Sequence, residues 1–222
     1  MKQLLLHFSP DPVPSLENFV PGRNAELLHS VRELANGLCG ERFVYLWGDG
    51  GSGKSHLLRG AAAAAWSAGM EVCFGSGEVP EESESCGLAV VDDVHLLDGG
   101  AQIALFNLYN RLRDEGGRLL ASGPCAPAQL PLRPDVVTRL GWGLIYQLHG
   151  LADEEKSQAL QAHAAARGFR LPPEVPDYLL RHWRRDLPSL LAALEALDRY
   201  SLENKRAVTV PLLRQLMQEG EL

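Results

Sequence analysis

A mostly apolar run, RFVYLW (residues 42–47), passes without a break into GDGGSGKS (48–55), and an alanine-rich stretch follows at once. No other feature constrains the fold as much. The aromatic and branched run predicts a strand buried on both faces. Lys54 to Ala68, with its alanine tract, predicts a helix. The residues between them fit G-x-x-x-x-G-K-[ST], with Gly48, Gly53, Lys54 and Ser55 at the specified places and Gly50 and Gly51 inside the turn. The order strand, glycine turn, helix builds a cradle for phosphate. Glycines let backbone N–H groups turn inward, and the helix adds the positive end of its dipole. Lys54 is then expected to reach the β- and γ-phosphates of ATP or ADP, and the Ser55 hydroxyl to hold Mg²⁺. A glycine-rich turn with an incidental lysine is the bland alternative. It leaves the placement between strand and helix unexplained.

A second apolar run, LAVV (88–91), ends in Asp92-Asp93. A buried strand delivers carboxylates to its carboxyl end, where open parallel sheets bind ligands. Asp92 is expected to hold Mg²⁺, and Asp93 to sit where a carboxylate polarises water; a plain loop cap is the other reading of Asp93. Further strands are predicted at 70–75, 118–122 and 143–148. Helices are predicted at 24–38, 101–115 and 136–140. Strands alternating with helices mean parallel pairing through crossovers, an α/β layered sheet. After Gly150 the pattern turns helical, at 153–167, 173–183, 188–203 and 210–218, with AVTV (207–210) the one weak strand signal. The expected organisation is an extended segment and linker at 1–22, an α/β nucleotide-binding domain at 23–150 and a small all-α domain at 151–222.

The formal net charge is -7, so neither half offers a broad basic surface to nucleic acid. The four cysteines form no C-x-x-C pair and read as small hydrophobes in a reducing compartment, the cytoplasm. No run approaches the length that spans a bilayer. Trp47, Trp66, Trp142 and Trp183 read as packing residues, Trp142 also as a candidate subunit contact. His56 reads as a helix residue facing the adenine or the sheet, with no Ser and Asp partners for a triad.

The chain opens MKQLLLHFSPDP. Its short apolar run, Leu4 to Leu6 with Phe8 beyond His7, is too short for a secretory signal. It packs on its own domain or is meant for another protein.

The phrases YLWGDGGSGKSHLL, VVDDVHLL, LFNLYNRLRDEG, TRLGWGLIYQL and LADEEKSQALQAHAAARGFRLPPEV resemble the DnaA/Hda family of AAA+ ATPases, from Gln3 to about Gln218. The resemblance implies an AAA+ fold with a five-stranded parallel sheet flanked by helices and a helical lid after it. It implies that Arg139 is an arginine finger acting on a neighbouring subunit's nucleotide; an ion pair with Asp135 or Asp93 in the same subunit is the alternative. Arg185 falls at the family's sensor II arginine, with Arg184 beside it as a second candidate. Ser122 falls at the end of the sensor I strand, but Pro124 stands where the family commonly has Asp, which weakens the case for intrinsic ATP hydrolysis. Within this family Gln3, Leu4, Leu6 and Phe8 look like a Q-x-x-L-x-F motif that docks on the β sliding clamp. The implied activity is that of an ADP-bound regulator which, with DNA-loaded clamp, stimulates hydrolysis of ATP bound to DnaA. DNA would be contacted mainly through the clamp. The alternative is a free-standing ATPase of the helicase-loader type. A homo-oligomer stays open, because exposed apolar segments seek partners.

Overall fold

The computed structural model describes residues 13–38, 40–80 and 86–219. They form two compact units, one over Val13–Gly150 and one beginning at Leu151. Gln3, Leu4, Leu6 and Phe8 lie outside the described residues.

Five parallel strands make the sheet of the first unit: β1 (Phe43–Trp47), β2 (Val72–Ser76), β3 (Leu88–Asp92), β4 (Arg118–Gly123) and β5 (Leu144–Gln147). Their spatial order is β2-β3-β4-β1-β5. Parallel neighbours need crossovers, and the helices α1 (Ala25–Ala35), α2 (Lys54–Ser67), α3 (Gly99–Glu115) and α4 (Pro134–Leu140) flank the sheet.

Strand alternation sorts the core into two layers. Val44, Leu46, Leu88, Val90 and Leu120 face Leu27, Val31 and Leu34 of α1 and Leu57, Leu58 and Ala61 of α2. Tyr45, Ala89, Val91, Leu119 and Ala121 face Leu105, Leu108 and Leu112 of α3 and Val136 and Leu140 of α4. The inner strands are therefore apolar on both faces, which is why they read as unbroken apolar runs. The edges are less covered, with Phe74 on β2 and Ile145 on β5 partly open to solvent. Backbones approach closely around the central strand. A Cβ on Gly143 would lie 2.0 Å from the Phe43 carbonyl oxygen. One on Gly123 would lie 2.1 Å from the Tyr45 hydroxyl, which donates to Cys125 O at 2.9 Å.

Residues 13–22 have no regular structure yet pack tightly. Leu16 and Phe19 are buried in the layer shared with α1 and α2. Arg32 holds the Leu16 carbonyl at 3.0 Å. Gly60 lets this strap cross α2, because a Cβ there would come within 2.8 Å of the Ser15 backbone.

The second unit contains α5 (Asp153–Ala166), α6 (Glu174–His182), α7 (Leu187–Asn204) and α8 (Val210–Glu219). Leu160, Leu179, Leu190, Leu194, Leu212 and Leu213 fill its core. Asp186 caps α7 by accepting from the Ser189 N–H at 2.9 Å, and Glu155 caps α5 through the Ala152 N–H at 2.7 Å. The expected strand at 207–210 is not formed. Val208 fills the helical core as part of a loop, and Val210 opens α8. A second difference is the start of α3. The sequence points to Ala101, but the helix begins at Gly99 because Asp98 caps it, accepting from the Ala101 N–H at 2.8 Å. No helix among the described residues is long and apolar enough to cross a membrane.

Candidate functional site

The strand order brings the carboxyl ends of β3, β4 and β1 side by side. Gly48–Gly53 leaves the end of β1 and runs into α2. Gly51 and Gly53 take positive φ, at 75° and 104°, which only glycine adopts without strain. Two neighbours pin the loop. A Cβ on Gly48 would meet Leu148 O at 2.4 Å, and one on Gly53 would meet the Phe19 ring at 3.1 Å.

Lys54 is buried, and its ammonium donates to Gly48 O at 2.7 Å and Asp49 O at 2.9 Å. An ammonium has three donors, so one is left over. Burial lowers the lysine pKa, while the carboxylates of Asp93, Asp92 and Asp49 pull it back up. Inside the loop the Ser52 hydroxyl is buried with no hydrogen-bond partner among the described residues. The first N–H groups of α2, those of Lys54, Ser55 and His56, have no partner within their helix. Spare donors, a desolvated lysine and an orphaned hydroxyl fit the phosphates of a nucleotide.

Asp92 is 1% exposed at the end of β3. Its Oδ1 accepts from the Ser122 hydroxyl of β4 and from the Asp93 N–H. Oδ2 makes no hydrogen bond among the described residues and keeps its lone pairs for a cation or its water. No cluster of three or more His, Cys, Asp or Glu that could cage a metal is found among the described residues. A Mg²⁺ here would be held by the nucleotide's phosphates with Ser55 and Asp92, the usual habit of that ion. Asp93 sits in the left-handed region at φ 53°, unusual for a residue with a side chain. Its N–H is also 3.2 Å from the Ser122 Oγ, and its carboxylate is 3.9 Å from His95. Such strain gathers at functional sites.

Ser122 is therefore fully buried and committed to Asp92 and Asp93. It orders the acidic pair. Pro124 is exposed, beyond the end of β4. His56 is spent on the strap, with Nε2 3.1 Å from Ser15 O and 2.7 Å from the Asn18 side-chain oxygen. Burial lowers its pKa, and the bond to Ser15 opposes that shift. The sequence pattern did not single out Phe19 as a wall of the loop, because it lies in a proline-rich stretch without periodicity.

Arg139 lies at the end of α4, one turn beyond Asp135. Asp135 is taken by Arg133 at 2.9 Å, and Asp93 faces His95. The intrasubunit ion pairs considered for Arg139 are thus not formed. Its guanidinium stacks on Trp142 at 4.1 Å from the ring centroid, with Phe106 at 5.3 Å and Tyr109 at 5.8 Å. Among the described residues it makes no hydrogen bond and no ion pair, and its Nε is buried without a partner.

In the helical unit, Arg185 donates to Asp153 at 3.0 Å and to the Leu180 carbonyl at 3.2 Å. Arg184 pairs with Asp186 at 3.3 Å. An exposed pair of this kind is worth about 0–1 kcal/mol, so either arginine can exchange it for a phosphate at small cost.

Residues 153–217 match the family model described as the Hda lid domain. Domain III of the replication initiation protein DnaA from Thermotoga maritima superposes with a TM-score of 0.81 at 21% identity, covering 95% of this chain and 98% of that one. AMPPCP-bound DnaA from Aquifex aeolicus gives a TM-score of 0.74 at 21% identity, over 87% of this chain and 67% of that one. The RuvB Holliday junction branch migration motor of Thermotoga maritima shares the fold more distantly, with a TM-score of 0.69 at 14% identity over 92% and 71% of the two chains. The parallel sheet with its phosphate-binding loop is thus the one seen in DnaA, and the helices after it carry the Hda lid pattern. The chain has the AAA+ fold, and its helical residues 153–217 match the Hda lid domain.

Proposed function

We propose that this chain is a nucleotide-bound regulator that, together with DNA-loaded β sliding clamp, stimulates hydrolysis of ATP held by DnaA and so restrains replication initiation in the cytoplasm. The observation that carries this reading is the state of Arg139. It is ordered on aromatic rings, yet it makes no ion pair among the described residues. An arginine finger offered to another subunit's nucleotide has these properties. ADP or ATP with Mg²⁺ occupies the loop at Gly48–Ser55 in this account, with Asp92 on the metal side and Arg185, or Arg184 beside it, available to the phosphates.

The clamp assignment rests on the sequence motif at Gln3, Leu4, Leu6 and Phe8. Leu6 and Phe8 fill an apolar pocket, and Gln3 fixes the register at its rim. Replacing Phe8 by alanine should weaken clamp binding about thirtyfold, the cost of a buried aromatic anchor. Gln3→Ala should cost about tenfold, one buried hydrogen bond. Surface plasmon resonance on immobilised clamp measures both. Wild-type affinity in both variants would remove this motif from the account while leaving the action on DnaA standing.

A free-standing ATPase of the helicase-loader type is the second reading. Asp93 favours it, since its carboxylate stands at the end of β3 in a conformation typical of active sites. Fast turnover of ATP by the chain alone would support that reading.

A further inference from the structure

Stacking and salt bridging use an arginine differently. A salt bridge occupies the in-plane N–H groups of the guanidinium. A ring beneath it occupies only the face and leaves the in-plane donors free. Arg139 is of the second kind. Its guanidinium carbon lies 4.1 Å above the centre of the Trp142 ring, closer than the other two rings approach it. Trp142 is itself steadied by an edge contact with Tyr109, at 6.5 Å between centroids and 75° between planes. Yet Trp142 is 57% exposed. A tryptophan placed only to fill a core would be covered. The Trp142 backbone N–H also closes the turn onto the Arg139 carbonyl at 3.2 Å, which sets ring and guanidinium in one local unit.

We infer that Trp142 is a positioning residue for Arg139: its indole face holds the guanidinium with the terminal N–H groups turned outward to a partner's phosphate. The inference rests on the finger reading of Arg139. A free arginine side chain carries a rotamer cost of about 2 kcal/mol. A ring beneath the charge removes part of that cost before the partner arrives, so the effect falls on the rate within the complex, with little change in how tightly the partners associate. The attraction between cation and ring adds to the same end.

The test is the hydrolysis rate of DnaA-bound ATP in the presence of DNA-loaded clamp, titrated with wild type, Trp142→Ala, Trp142→Phe, Trp142→Leu, Arg139→Ala and the double variant Arg139→Ala/Trp142→Ala. Trp142→Ala should lower the maximal rate about tenfold, within the range of a cation–ring contact. The half-saturating concentration should stay within about twofold, because the contact is made inside the chain. Trp142→Phe should restore most of the rate and Trp142→Leu should not. The double variant should be no slower than Arg139→Ala. Unchanged thermal melting confirms that the exposed substitutions leave the fold intact. A shifted half-saturation with an unchanged maximum would make Trp142 a partner contact and overturn the inference, as would equal rescue by Phe and Leu. If Arg139→Ala is inactive while Trp142→Ala is fully active, the finger reading survives and the positioning role does not. If Arg139→Ala itself is fully active, both fall.

Discussion

Replacing Arg139 by alanine should reduce the stimulated hydrolysis of DnaA-bound ATP about a thousandfold, with nucleotide binding by the chain itself unchanged. The magnitude is the low end of what arginine fingers contribute, because they act on charge that develops in the transition state. The structure bears on the second half of the expectation. Arg139 lies on α4 among Phe106, Tyr109 and Trp142 and makes no bond to the loop at Gly48–Ser55. A single-turnover assay with ATP-loaded DnaA measures the first effect, and calorimetry with ADP measures the second. Arg139→Lys should recover little, since a lysine is a point charge without a planar fork.

Lys54→Ala should have the second largest effect, weakening ADP binding about a hundredfold. The ammonium is already desolvated and oriented by Gly48 O and Asp49 O. It therefore meets an anion with little of its charge left to strip of water. The remaining donor makes one charge-assisted hydrogen bond to phosphate in a desolvated loop, worth up to about 3 kcal/mol, which is roughly a hundredfold in affinity. Titration calorimetry with ADP and Mg²⁺ checks it. An unchanged dissociation constant would mean that Lys54 serves only to brace its own loop.

Much of this arrangement was legible in the sequence, for physical reasons that can be named. β1, β3 and β4 are covered on both sides, so FVYLW, LAVV and LLAS had to be apolar throughout. The phosphate cradle is local: glycine conformations, a helix start and a lysine within one continuous stretch. Asp92 follows from that cradle because the sheet places strand ends together. Contacts between distant segments were not legible. The bond between Ser122 and Asp92 joins neighbouring strands thirty positions apart in the chain. Phe19 reaches Gly53 across the strap, from a stretch with no periodicity to announce it. The stacking of Arg139 on Trp142 was hidden differently. The two lie three residues apart, but only the backbone turn at the end of α4 brings the guanidinium over the ring. AVTV shows the opposite error. Its alternation suits a strand, but no strand among the described residues pairs with it, and the helical core takes Val208 instead.

The central claim is that the chain acts on a nucleotide held by another protein. The most direct measurement is the rate at which DnaA-bound ATP is hydrolysed when wild-type protein and ADP are added, with and without clamp loaded on DNA. The account predicts a large acceleration only when both the protein and the loaded clamp are present. An unaccelerated rate under that condition, or ATP turnover by the chain alone that needs neither DnaA nor clamp, would contradict it.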